Sequence, residues 1–179
     1  MPRAVSDAGP LIHLAQINKI QRIKELFNCV SIVPEVEREA FEEGIRLGRA
    51  DAQVIGRAVE EGWIVVEDVS GAVALAARKL ADGENISLTD AKTLLLAKES
   101  RAEILIDEKA LSDLARMYGL VVWNTWTILL ESLRRGFIEI SDIEFAITEL
   151  GKRRHKLRDE RVAEILEAAR RIASRRKKR

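Results

Sequence analysis

Four acids stand out by the residues around them. Asp7 follows the apolar Ala4-Val5 and precedes a Gly9-Pro10 break, and Asp107 ends the aliphatic run Ile104-Leu105-Ile106, with Glu108 directly after it. Asp90 precedes the apolar Leu94-Leu95-Leu96, and Glu39 sits in a helix-forming stretch opened by Pro34. Carboxylates brought close together without partners raise one another's pKa. A converging set therefore needs lysine, arginine or a divalent cation among it. Hard oxygen donors suit Mg²⁺ or Mn²⁺, which keep several waters and also bind substrate phosphate. Each acid has an ordinary role as well. Asp7 and Asp107 are placed to start helices, and Asp90 completes a Ser87-Leu88-Thr89-Asp90 capping box. Glu39 shares its segment with Glu35, Glu37, Glu42 and Glu43, most of which must be solvated. The set says more than its members.

Positioning such acids requires alternating short strands and longer helices. Apolar runs at 3–6, 30–33, 63–66, 103–106 and 120–122 read as buried strands. Between them, helices are expected over 11–27, from Pro34 to Glu43 with Gly44 as stop, over 50–61 ended by Gly62, over 72–80 before a loop at 82–85, and from Asp90 onward. Further helices are expected after Asp107 through Met117, over 128–135 capped by Gly136, after Ser141-Asp142 to Leu150, and along an amphipathic segment with Val162, Ile165, Leu166, Ala169 and Ile172 on one face. Strands separated by helices of this length imply a three-layer α/β/α fold with a central parallel sheet. In such a sheet, side chains at the carboxyl ends of strands face the ligand crevice, where Asp7 and Asp107 would lie. The boundary falls at Gly151-Lys152-Arg153-Arg154, dividing an α/β domain (1–150) from a basic helical extension (151–179).

The totals narrow the classes. With 179 residues and 47% apolar content, the chain can bury a core, and Cys29 as sole cysteine excludes an intrachain disulfide. No apolar run reaches membrane-spanning length and no signal peptide is evident, so a cytoplasmic protein is expected. A charged content of 33% leans toward a thermophilic source. From Lys152 onward there are 13 Lys or Arg and 4 Asp or Glu, a net +9, which leaves −8 on residues 1–151. An acidic body with a basic tail suits nucleic acid, though a merely solubilising tail is as ordinary. Phosphate-binding glycine loops are missing from the sequence. His13, in an apolar helix, and His155, in a basic run, offer no base for a nucleophile. Trp63, Trp123 and Trp126 adjoin strands and read as core.

Ser6-Asp7-Ala8-Gly9-Pro10-Leu11-Ile12, Leu88-Thr89-Asp90-Ala91 and Ile104-Leu105-Ile106-Asp107-Glu108 together resemble the PIN-domain ribonucleases. The stretch 119–138, with Asn124-Thr125 and Gly136-Phe137-Ile138, is similar to an uncharacterised prokaryotic branch of that family. The resemblance spans residues 3–140 and leaves the final helix outside. It implies catalytic acids at Asp7, Glu39, Asp90 and Asp107, and Mg²⁺ or Mn²⁺ ligands at Asp7, Asp90, Asp107 and Glu108. Ser6, Thr89, Asn124 and Thr125 would orient water or substrate phosphate. RNA hydrolysis by a toxin paired with an antitoxin protein is the implied activity, with a homodimer as the expected state. Two alternatives remain: a PIN-like binding module that no longer cuts, and a receiver-like phosphoryl-transfer protein with Lys109 near a late strand.

Overall fold

The computed structural model describes residues 3–153 and 155–176. Five parallel strands form one sheet in the order β3-β2-β1-β4-β5: β1 (Ala4–Ser6), β2 (Val30–Ile32), β3 (Ile64–Val66), β4 (Glu103–Leu105) and β5 (Val122–Trp123). Their apolar runs are continuous rather than alternating, because helices cover both faces of a parallel sheet. The chain steps outward from β1 through β2 to β3, then returns to β4 on the other side of β1 and moves away to β5. The strand order therefore reverses between β1 and β4, where an open α/β sheet leaves its crevice. Register there is direct: Ser6 stands opposite Leu105, and the Asp7 N–H donates to the Leu105 carbonyl at 3.0 Å. The fifth strand lies two residues later than the sequence suggests, because Leu120 still turns back to the Ala115 carbonyl at the end of the preceding helix.

The helix expected over 11–27 is two helices, α1 (Ala8–Gln16) and α2 (Gln21–Phe27). Asn18 breaks it at φ 56°, a left-handed conformation that asparagine tolerates. Pro10 is accommodated in the first turn of α1, where a backbone N–H has no helical partner to lose.

After β2 the backbone runs through α3 (Pro34–Glu37), a π-helical stretch (Arg38–Glu42) and α4 (Glu43–Arg46), followed by α5 (Ala50–Glu60). Gly44 does not stop this run as expected. Its role is close approach: a Cβ there would lie 2.4 Å from the Ala52 Cβ on α5.

α6 (Gly71–Glu84) extends through the expected loop and ends on Asn85 in the left-handed region. α7 (Leu88–Glu99) packs on β1 and β4, with α6 against it. α8 (Lys109–Met117) leads to β5, and α9 (Thr125–Arg135) starts three residues before the expected Ile128, capped reciprocally by Asn124 and Thr127. Gly136 closes α9 at φ 82°. α10 (Ile140–Lys152) is capped by Glu139 with Asp142, not by Ser141.

α11 (Asp159–Arg176) packs on α9 and α10, and buries Ile165 and Ala169 in the core cluster. The Arg176 guanidinium donates to the carbonyls of Leu133 (3.1 Å) and Ile138 (3.3 Å), satisfying groups at the end of α9. Arg154 of the expected boundary and the last three basic residues lie outside the described residues. No helix among the described residues is long and apolar enough to cross a membrane.

Candidate active site

Asp7 leaves the carboxyl end of β1 and occupies the N-cap position of α1, yet its side chain makes no capping bond to the following turn. Helix capping therefore does not account for it. Burial pushes its carboxyl up to about 6; the Ala8 backbone N–H opposes this, and the charges of Asp90, Glu39 and Asp107 add to the rise. Acids from three other segments thus act electrostatically on this one side chain.

Glu39 follows α3, and its charge is among those that raise the Asp7 carboxyl. It lies in the π-helical stretch, a backbone irregularity that recurs at functional sites. Burial raises its carboxyl, with Glu43 and Asp90 adding to the effect. The glycines of this region press α5 against the same stretch: a Cβ on Gly56 would come within 2.3 Å of the Phe41 ring.

Asp90 performs the capping duty read from the sequence. The Ser87 hydroxyl accepts from the Asp90 N–H at 3.0 Å, and an Asp90 carboxylate oxygen accepts from the Ser87 N–H at 3.3 Å. Capping and charge coexist here, since a carboxylate has lone pairs to spare. Lys92, two residues on, pairs with Glu35 at 2.5 Å and Asp68 at 3.7 Å rather than neutralising the cluster.

Asp107 is held differently. It accepts from His13 Nδ1 at 2.6 Å, from the Thr125 N–H at 2.7 Å and from the Thr125 hydroxyl at 2.7 Å. Burial alone would raise its carboxyl, but the His13 bond and then those from Thr125 outweigh it and hold the group below the usual carboxylate range. Gly9 runs alongside, where an added Cβ would sit 3.5 Å from the Asp107 Cβ. Glu108 stands at the start of α8 and is exposed.

The residues expected to face substrate divide. Ser6 is buried, and its hydroxyl donates to the Asp7 carbonyl at 2.8 Å. Thr125 is buried and holds Asp107, and Asn124 accepts from the Thr127 N–H at 2.9 Å as a cap. Ser6 and Thr125 brace the acids' strand ends, while Asn124, besides capping its helix, lines a cavity beside Asp107. Thr89 stands half-buried in the first turn of α7, one residue before Asp90.

Both histidines, for which the sequence offered no role as a base, stand together beside Asp107. His13 Nε2 lies 3.1 Å from His155 Nε2, so His155 closes over the imidazole that holds Asp107. Partial burial, then the neighbouring His13, keeps His155 below its ordinary value. Nothing local signalled this, because the partners are 94 and 142 positions apart. Trp63 is core as expected, and Trp123 is half-buried edge-on to Phe27. Trp126 instead lines a cavity of about 630 Å³ beside Asp107.

The donor set is chemically suited to a hard divalent cation: oxygen ligands, several carboxylates, and one carboxyl that burial first and neighbouring acids second hold toward protonation. Among the described residues, no three His, Cys, Asp or Glu side chains already stand together closely enough to hold a metal ion.

A family model described as "DUF3368: PIN domain" matches residues 3–171, which takes in most of α11 as well as the α/β body. The crystal structure of PAE2754 from Pyrobaculum aerophilum is similar, with a TM-score of 0.55 and 19% identity over 73% of this chain and 94% of that one. At that identity the likeness shows a shared fold. No curated protein matches the chain.

Proposed function

The chain belongs to the PIN-domain family, and we propose that it is a divalent-metal-dependent endoribonuclease that hydrolyses RNA phosphodiester bonds. One observation carries the reading: burial at the carboxyl end of β1 pushes the Asp7 carboxyl up to about 6, and the charges of Asp90, Glu39 and Asp107 add to the rise. Mg²⁺ commonly takes only one or two carboxylates and completes its shell with water and substrate phosphate. Asp7, Glu39 and Asp90 would hold Mg²⁺ or Mn²⁺, joined by the remaining lone pair of Asp107; exposed Glu108 is left out.

When bound, the ion supplies Lewis acidity and charge neutralisation for attack on a phosphodiester. The chain's own residues fix the site. His13 and Thr125 lock the Asp107 carboxylate, Ser87 orients Asp90, and the Ser6 hydroxyl secures the main chain at Asp7. An acidic centre repels a polyanion, so the grip must come from cations elsewhere. Exposed Arg170, Arg171 and Arg175 on α11 are suited to that task. A cytoplasmic toxin restrained by an antitoxin protein and acting as a homodimer is the finer form of the proposal, supported by the sequence resemblance.

A non-catalytic RNA- or protein-binding module is the second reading, favoured by the lack of a preformed three-ligand group among the described residues. Calorimetric titration with Mn²⁺, paired with cleavage of a single-stranded RNA, separates them. The nuclease binds Mn²⁺ and cuts only in its presence, and Asp7→Asn loses both properties. Tight Mn²⁺ binding without cleavage, or cleavage unchanged in Asp7→Asn, overturns the proposal.

A further inference from the structure

The cavity beside Asp107 is not part of the carboxylate cluster. It lies between α8, the start of α9 and the segment joining α10 to α11, and it shares only the His13–Asp107 wall with the acids. Its volume, about 630 Å³, is in the range of sites that enclose a small ligand. Lys109, Arg116, Lys156 and Arg161 line it together with Asp107 and Asp113. Asp113 is shared by Lys109 at 2.8 Å and Arg116 at 3.0 Å, and Arg161 is held by Glu164 at 2.8 Å. Lysine carries three donors and guanidinium five, so each keeps N–H groups for a further anion. Half-buried Trp126 supplies an aromatic surface on the same wall.

Cations, an aromatic ring and a half-open cleft are together what an unpaired nucleotide needs. Single-stranded RNA is read by stacking splayed bases on aromatic side chains while basic groups follow the phosphates. We infer that this cavity takes one unpaired nucleotide of an RNA chain, its base against Trp126 and its phosphate among Lys156, Arg161 and Arg116. The inference rests on the ribonuclease reading for the source of the nucleotide: the wall shared with Asp107 places the bound nucleotide next to the strand segment at the acids. Two of the contributing residues, Lys156 and Arg161, come from the basic end of the chain. That end then acts as one side of a specificity pocket as well as a general electrostatic grip.

The test uses the full chain carrying Asp7→Asn, without added metal, so that binding is read apart from cutting. Adenosine, AMP and a single-stranded five-nucleotide oligoadenylate are titrated while the tryptophan indole N–H signals are followed by NMR, with Trp126→Phe assigning the Trp126 signal. The expected result is a shift of that signal by AMP and by the oligonucleotide, with the oligonucleotide at least tenfold tighter and adenosine without effect. Lys156→Ala combined with Arg161→Ala, both at exposed positions, should weaken the two phosphate ligands about tenfold or more. An unmoved Trp126 signal, or unchanged affinity in the double variant, overturns the site. AMP binding as tightly as the oligonucleotide overturns the RNA assignment in favour of a free mononucleotide. Mn²⁺-dependent cleavage by the parent is scored separately, so the nuclease reading can fail with this site intact, or survive its loss.

Discussion

His13 Nδ1 stands 2.6 Å from Asp107 Oδ2, fastening the helix after the first strand to the end of the fourth. A carboxylate can only accept, so Nδ1 carries the hydrogen. The Nε2 atoms of His13 and His155 lie 3.1 Å apart, one donating and the other accepting according to their tautomers. The acid site and the basic end of the chain are thereby joined through two imidazoles.

Removing the first of these should loosen Asp107. His13→Ala leaves a largely buried carboxylate short of one of its three donors, which costs roughly 1–3 kcal/mol. Cleavage should fall about 10–100-fold, as when groups that orient metal ligands are lost. Urea unfolding and single-turnover cleavage check the two effects; a variant that cuts at the parent rate shows that Asp107 needs no such support.

Asp7 makes the metal-free protein sensitive to pH. Its folded-state value of about 6 lies above the ordinary 3.8. Between those values the folded chain keeps a proton that the unfolded chain has released. The contribution of Asp7 to stability should therefore be full below pH 4, fall as pH rises through this window and level off above pH 6, a loss of roughly 3 kcal/mol set against the opposite trend of carboxylates such as Asp107. Asp7→Asn removes this slope and should be more stable than the parent at pH 7 while failing to cut RNA. Urea midpoints from pH 4 to 7 measure it, and Mn²⁺ should restore the parent's stability above pH 6. A parent slope identical to that of Asp7→Asn would contradict the strained carboxyl.

Capping and catalysis at Asp90 can be separated. Asn keeps an acceptor oxygen for the Ser87 N–H, so Asp90→Asn should retain nearly all the stability and lose metal-dependent cleavage. Ser87→Ala should do the reverse, costing about 1 kcal/mol with cleavage largely kept. Thermal unfolding and cleavage rates for the pair decide between a helix cap and a ligand.

The Glu39 segment depends on glycine. In Gly44→Ala the new methyl would meet the Ala52 Cβ at 2.4 Å, and two helix backbones must part to admit it. A loss of roughly 1–3 kcal/mol is expected, together with slower cleavage as Glu39 moves from Asp7. Pairing with Ala52→Gly should recover much of both, and the absence of any recovery would locate the damage elsewhere.

The docking of α11 makes its deletion a poor probe of charge, because Ile165 and Ala169 are buried. Neutralising exposed Arg170, Arg171 and Arg175 to Gln spares the core. It should weaken single-stranded RNA binding and reduce the slope of log affinity against log salt by about 2. Fluorescence anisotropy across a salt series gives that slope; an unchanged value shows that RNA binds elsewhere.

The parts of the site legible in the sequence are those set by local chemistry. Aliphatic runs ending in an acid marked the carboxyl ends of β1 and β4, and Ser87-x-x-Asp90 marked the start of α7. Patterns of this kind arise because a buried strand must be apolar and a helix start must satisfy its own N–H groups. Element ends were less legible. One left-handed Asn18 split a helix, and Gly44 was read as a stop when its small size serves contact with Ala52.

Residue order alone determined an α/β chain with acids at strand ends, since hydrophobic periodicity and capping act over a few residues. Tertiary structure decided which acids meet and what holds them. Of five neighbouring glutamates, Glu35 pairs with Lys92, and it is the charge of Glu39 that acts on Asp7. His13 and His155 acquired their roles only when strands β1 and β4 came side by side and the chain's end folded back over them. Contacts across 94 and 142 positions leave no mark on local sequence, because they depend on where packed layers place whole elements.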